Sequence, residues 1–392
     1  MKSNNERILN LICILIILIS LSSYEIHLYK FYSVLQIIVL GLSIMLIFLT
    51  NKYEGELVKS IQRKMNRNLL MIIMFFLMIL NTIIANLHLL NNPLNILSVL
   101  GMFFTAISVY IYIPSIVKKY PNIKTNIFLT LNYFCVLLVI IGLFIYIKGN
   151  FLNYSLIYGR AASIYYDPNF LAMVLAINLI LELLNERKHN IFKYILFFLS
   201  FVLIILTGSR GTLIGLIISL LSYIFIFSNY KLVKKTLISI LICIATYFLI
   251  NYLTSVDFFR IYQGSNGRIE MISYIYKLFK QSPIFGYGYS NVGLYLVNAG
   301  FANVSTHNSF VDFLFAFGLI PTILFVILIF QNFIIAFKNK ECPELVVSLV
   351  FIVFNMNTIL YNFGGVGISS ILFTLILGLI NEKGSEKTNE ET

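Results

Sequence analysis

Residues 191–228 read IFKYILFFLSFVLIILTGSRGTLIGLIISLLSYIFIFS. Two apolar runs, 191–207 and 211–228, flank the short polar motif Thr207-Gly208-Ser209-Arg210-Gly211. Each run approaches the length of roughly 20 apolar residues that a helix needs to cross a bilayer. The motif between them is too short for anything but a turn, so the chain reverses there and Arg210 stays close to a membrane surface. A charge in that position is costly and calls for an explanation.

The same alternation recurs along the chain. Of 392 residues, 59% are hydrophobic and 11% charged, under half the charged share of a soluble domain, about 25%. We expect an all-α, polytopic transmembrane bundle of about twelve helices. They lie near 7–23, 30–50, 68–90, 94–117, 126–147, 168–185, 191–207, 211–228, 236–252, 308–337, 343–361 and 366–380. No linker divides them, so 1–380 reads as a single membrane domain, followed by a polar, disordered tail at 381–392. Lys2 and Arg7 before the first run give it the look of a signal peptide. No small-x-small cleavage pattern follows, and we read it as a retained helix. Cys13, Cys135, Cys243 and Cys342 are isolated, without metal-ligand or disulfide spacing. No Walker, GxGxxG, HExxH or GxSxG motif occurs, and no DxD-like cluster, so no cofactor or metal is expected.

A net charge of +12 would suggest nucleic acid in a soluble chain; here it sets orientation, and no nucleic-acid partner is expected. With the N-terminus inside, 20 of the 28 Lys and Arg fall on the inner tails and loops and 8 fall outside. The inverted arrangement reverses that bias, so both termini are expected in the cytoplasm. Inside, lysine outnumbers arginine 16 to 4; outside, the two are equal, the arginines being Arg160, Arg210, Arg260 and Arg268. Arginine is the better residue for bidentate phosphate contacts. Two outer segments are long, 148–167 and 253–307. The second carries an amphipathic helix from Arg268 to Lys280, with Ile269, Ile272, Ile275, Tyr276 and Phe279 on the face expected to lie on the membrane or the bundle. Ser265, Asn266 and Gly267 are its start signals, and Ser282-Pro283 ends it.

Each outer polar group has a bland reading beside a chemical one. Arg210 is either an arginine whose head snorkels to the interface or an anion ligand at a helix start, where backbone N–H groups also point outward. Gly208 and Gly211 beside it permit a tight turn and a close backbone approach. His307, in Ser305-Thr306-His307-Asn308-Ser309-Phe310, either belongs to a polar helix start capped by Asn308 or Ser309, or acts as a general base or hydroxyl-orienting group. Asp312 follows at an offset of five, which does not bring it squarely onto the same helical face as His307, so no dyad is assigned. Arg160 reads as a loop cation or a ligand. Asp167-Pro168-Asn169 is an ordinary helix start. Arg268 opens its helix against the dipole, which favours an acidic partner outside. Arg260 reads as a surface residue; His27, His88 and His189 read as interfacial, and Glu182 as reaching the inner interface.

The order of these motifs resembles the O-antigen ligase and polymerase family of bacterial envelope proteins. The matching pieces are Gly159-Arg160 with Asp167-Pro168-Asn169, Thr207 to Gly211, Gly267-Arg268-Ile269-Glu270, Ser282-Pro283-Ile284-Phe285-Gly286-Tyr287-Gly288, Thr306 to Phe310, and Phe317-Gly318-Leu319-Ile320. They span about residues 158–330; the N-terminal third is similar in hydropathy alone. Met271 stands where many relatives carry Trp.

The resemblance implies metal-independent glycosyl transfer at the outer face of the cytoplasmic membrane, from a glycan carried on undecaprenyl pyrophosphate. It maps the family's arginines to Arg160, Arg210 and Arg268 as pyrophosphate ligands and its histidine to His307, catalytic together with Arg210. Asp167, Asn169 and Asn308 stand beside them as candidate substrate contacts. The motifs do not separate polymerase from ligase; the otherwise small outer loops favour a repeat-unit polymerase for capsule, exopolysaccharide or O-antigen, with a chain-length regulator and a flippase as candidate partners. A ligase acting on a lipid or protein acceptor shares the chemistry. A flippase of lipid-linked sugars is the alternative of another class, and it would need polar groups along a path through the membrane.

Overall fold

The computed structural model describes residues 2–23, 31–54, 68–89, 94–151, 154–157, 159–184, 191–255, 267–289, 291–301, 305–338 and 342–390. Arg260, Ser265, Asn266, His27 and His189 lie outside them. The apolar runs form α1 (Lys2–Ser22), α2 (Tyr32–Glu54), α3 (Leu69–Leu89), α4 (Leu94–Ala106), α5 (Ile113–Lys119) and α6 (Asn122–Lys148). A π-helical segment, Ile107–Tyr112, joins α4 to α5 without a break. A two-stranded hairpin, β1 (Asn150–Phe151) with β2 (Tyr154–Ser155), follows α6. Then come α7 (Pro168–Leu183), α8 (Ile191–Leu206), α9 (Arg210–Ile226) and α10 (Leu232–Ser255). The long segment after α10 holds α11 (Arg268–Phe279) and α12 (Asn291–Asn298). The last elements are α13 (Ser309–Phe317), α14 (Leu319–Lys338), α15 (Pro343–Asn355) and α16 (Ile368–Glu390).

The fold is all-α and polytopic. Among the described residues five helices are long and apolar enough to cross a membrane: Asn4–Ser22, Ser33–Tyr53, Asn95–Lys119, Asn122–Lys148 and Leu319–Lys338. Five more apolar helices of 10–17 residues pack with them, α8 and α9 being two. Fully buried Phe325, Phe363 and Phe373 tie α14 and α16 to the loop between α15 and α16. In lipid such packing replaces the water-driven term as the force between helices.

Three expectations need correction. The helix expected over 308–337 is broken at Gly318, which takes φ +79 and ends α13. The carbonyls left open by that ending are taken by side chain and loop: Asn81 donates to Phe317 O (2.6 Å), Gly288 N to Ala316 O (2.9 Å) and Tyr287 N to Phe315 O (2.8 Å). The Pro283–Gly288 stretch is thus the clasp of α13. The helix expected over 343–361 stops at Asn355, because the turn after it serves the starts of α9 and α13. The tail expected to be disordered continues α16 to Glu390, held where it leaves the bundle by Asn381 on Asn68 (3.0 Å) and Glu382 on Lys118 (3.6 Å). In α11 the stripe against the bundle is Met271 and Ile275 with Leu278 beside them, packed toward α13, while Ile269 and Tyr276 of the expected apolar face lie on the outside of the protein.

Candidate active site

The turn between α8 and α9 is built by Thr207-Gly208-Ser209. Gly208 has φ +61, a conformation that costs a side-chain-bearing residue about 1–2 kcal/mol. Ser209, extended, donates its N–H to Thr207 Oγ1 (3.2 Å), and its own hydroxyl lies 3.0 Å from Thr212 Oγ1. No side chain caps α9, and half-buried Arg210 is its first residue. Gly211 sets α9 against the end of α15: a Cβ there would lie 2.5 Å from Thr358 Cγ2.

Arg160 sits on the same turn. Its Nε donates to the Thr207 carbonyl and its Nη2 to Asn169 Oδ1 (3.0 Å), while Ala161 N binds Leu206 O (3.0 Å). Asp167 caps α7 by accepting from Asn169 N (2.8 Å). Arg160 therefore straps the segment before α7 to the end of α8, and two of its donors are engaged in that strap.

His307 reaches the site from the far side of the sequence gap. Its backbone is left-handed, φ +57, which is uncommon for a residue with a side chain. The conformation is fixed by a ring of bonds around Asp312. The buried carboxylate accepts from Ser305 Oγ (2.9 Å), Thr306 N (3.2 Å) and Thr306 Oγ1 (2.6 Å). Ser305 Oγ in turn accepts from His307 N (2.9 Å), and Thr306 Oγ1 from Asn308 N (3.2 Å). Asp312 thus holds the histidine's backbone. Asn308 caps α13, its Oδ1 accepting from Phe310 N and Val311 N (both 3.1 Å) and its Nδ2 donating to Asn357 Oδ1 (3.2 Å). Ser309 N on Met356 O (2.7 Å) ties this segment to the same turn that Gly211 meets.

These groups share one electrostatic environment. Burial lowers the Arg268 pKa below its ordinary value; Arg210 lowers it further and Asp167 offsets part of the effect. Burial likewise lowers His307, with Arg268 adding to the shift and Asp167 opposing it. Arg268 therefore lies within electrostatic reach of Arg210, Asp167 and His307, and Asp167 within reach of His307, although the four span residues 167 to 307 in sequence. Arg160 adjoins them through Asn169 and Thr207. Among the described residues neither Arg210 nor Arg268 makes a hydrogen bond or ion pair. Both head helices whose first turns carry a partial positive charge. The arrangement is short of negative charge and is suited to an anion with several oxygens. A His307 pKa below 6.5 leaves the imidazole neutral at pH 7, able to accept a proton.

Sequence reasoning missed the Asp312 ring, the Asn357 contact and Asn81. The offset of five between His307 and Asp312 bears only on their side chains, whereas the bonds of Asp312 go to the two residues before the histidine. The one available signal was Ser305-Thr306 facing an acid in the first turn of the next helix.

Two neighbouring cavities lie beside the His307 loop. One, of about 120 Å³, touches Ser305, Asp312, Tyr289 and Asn362. The other, of about 550 Å³, shares Tyr289 and Asn362 and runs between α2 and α4, past Ile37, Ile44 and Leu97, all three exposed on the outside of the bundle.

Residues 195–326 match the family model described as O-antigen ligase. No curated protein matches the chain. The matched region runs from α8 into α14 and contains Arg210, Arg268, His307 and Asn308, with Arg160, Asp167 and Asn169 just before it. The chain thus joins a polytopic helical fold to a region that is similar to the O-antigen ligase family.

Proposed function

We propose that this protein polymerises glycan repeat units carried on undecaprenyl pyrophosphate, at the outer face of the cytoplasmic membrane. The family supports membrane glycan transfer in general. The observation that carries the finer reading is the gathering of Arg210, Arg268, His307 and Asp167 at one end of the bundle.

In this reading Arg210 and Arg268 take the pyrophosphate oxygens, and Arg160 holds the turn that presents Arg210 and adds its charge. The acceptor hydroxyl attacks the anomeric carbon while the bond from that carbon to the pyrophosphate oxygen breaks. The hydroxyl proton passes to His307, and pyrophosphate leaves with the bonding pair. Fixed arginines at a low-dielectric boundary stabilise the growing charge without reorganisation, so the step needs no metal. A single displacement of this kind inverts the anomeric centre. Asp167 and Asn169 are proposed contacts for sugar hydroxyls. Asn308, its amide engaged at the cap and on Asn357, acts through the loop it fixes. The sideways cavity between α2 and α4 suits a substrate that arrives within the bilayer.

The test is Arg210→Ala and His307→Ala in the native cell, read as the length of surface glycan chains. Single repeat units in place of long chains are expected. Unchanged chain length in both variants would sink the site assignment. Full-length chains left unattached to their final acceptor would favour the ligase. Loss of lipid-linked units from the outer leaflet would favour the flippase.

A further inference from the structure

The end of the bundle opposite the arginine cluster carries a pocket lined by lysines. It lies between α5, α6, α15 and α16 and has a volume of about 330 Å³. Three lysines from three elements line it: Lys118 at the end of α5, Lys124 in the first turn of α6, and Lys383 on α16. Two carboxylates neutralise part of that charge, Glu382 at 3.6 Å from Lys118 and Glu344 at 2.9 Å from Lys124. An ammonium group has three donors, so a lysine in an ion pair still has N–H groups to offer a further oxygen. The other walls are apolar: Pro114, Val117, Pro121, Leu345 and Leu379. Three lysines beside aliphatic walls on apolar helices match a phosphate ester with hydrocarbon attached to it.

We propose that this pocket binds the headgroup of an anionic glycerophospholipid, its phosphate on Lys118, Lys124 and Lys383 and the start of its acyl chains along Val117, Leu345 and Leu379. Basic pockets between membrane helices have the charge and the depth to hold such headgroups. Free phosphate offers the same oxygens without the chains, and the aliphatic walls favour the lipid. The site is independent of the glycan-transfer reading.

The experiment is native mass spectrometry of the full chain released from detergent with phosphatidylglycerol, with phosphatidylcholine, or with phosphatidylglycerol plus excess glycerol 3-phosphate. Wild type is expected to retain phosphatidylglycerol in preference to phosphatidylcholine. Lys118→Gln, Lys124→Gln and Lys383→Gln are each expected to weaken that retention about fivefold. Glu382→Gln removes an opposing charge and is expected to strengthen it, a gain that misfolding does not imitate. Equal retention of the two lipids, or no change in any of the four variants, overturns the proposal. Full displacement by glycerol 3-phosphate also overturns it, in favour of a soluble phosphate.

Discussion

At the scale of single residues the site rests on an arginine at a helix start and a histidine in a left-handed turn. Arg210→Lys keeps the charge but loses the planar fork, so it is expected to restore only part of the activity lost in Arg210→Ala, by roughly tenfold or less. Product formation at saturating substrate checks this, and full activity in the lysine variant contradicts a bidentate role. His307 must be neutral to take a proton. Because its pKa lies below 6.5, the rate is expected to be level through neutral pH. It falls as pH drops through that lowered pKa, and a pH–rate profile with its acid limb above 6.5 argues against the assignment. Asp312→Asn keeps the shape but replaces an acceptor oxygen by a donor facing Thr306 or Ser305. The loss of one such bond is expected to cost about 1–3 kcal/mol. If the carboxylate serves to hold His307, activity drops while the acid limb stays in place; a displaced limb means that Asp312 acts on the imidazole itself.

At the scale of elements the positions of α9 and α13 decide whether Arg210 and His307 meet. Gly211→Ala puts a methyl group against Thr358, and overpacking of this kind costs about 1–3 kcal/mol. A lower melting temperature in detergent is expected, with partial recovery in Gly211→Ala combined with Thr358→Ala, which removes the atoms in the way. No recovery would place the glycine's importance elsewhere. Much of this level was legible beforehand: the apolar runs appear as helices, and Thr207 to Gly211 is a tight turn with Arg210 at its end. The break at Gly318 was not legible. Phe317-Gly318-Leu319 sits in an unbroken apolar run, and one glycine does not end a helix by itself. The ending depends on Pro283–Gly288 and on Asn81 from α3, partners remote in sequence. Periodicity finds the apolar stripe that holds Ile275 of α11, but that Met271 is buried with it depends on α13, with Tyr287 stacked on Phe315 at 4.5 Å.

At the scale of the whole molecule the two ends of the bundle have different chemistry. One gathers Arg210, Arg268 and His307 with Arg160 alongside; the other pairs Lys118, Lys124 and Lys193 with Glu382, Glu344 and Glu182. Loop charge alone already separated these sets, because counting Lys and Arg needs only the order of the helices. It could not say that Asp167 shares the field of Arg268 and His307, which depends on how α7, α9, α11 and α13 converge. The central claim is that this convergence makes one site for a pyrophosphate-linked donor. The most direct measurement uses the full chain purified into liposomes, supplied with lipid-linked repeat units from the native cell in the presence of a metal chelator. The account predicts a ladder of polymers from the wild type and single units from Arg210→Ala; no ladder from the wild type, or the same ladder from both, would contradict it.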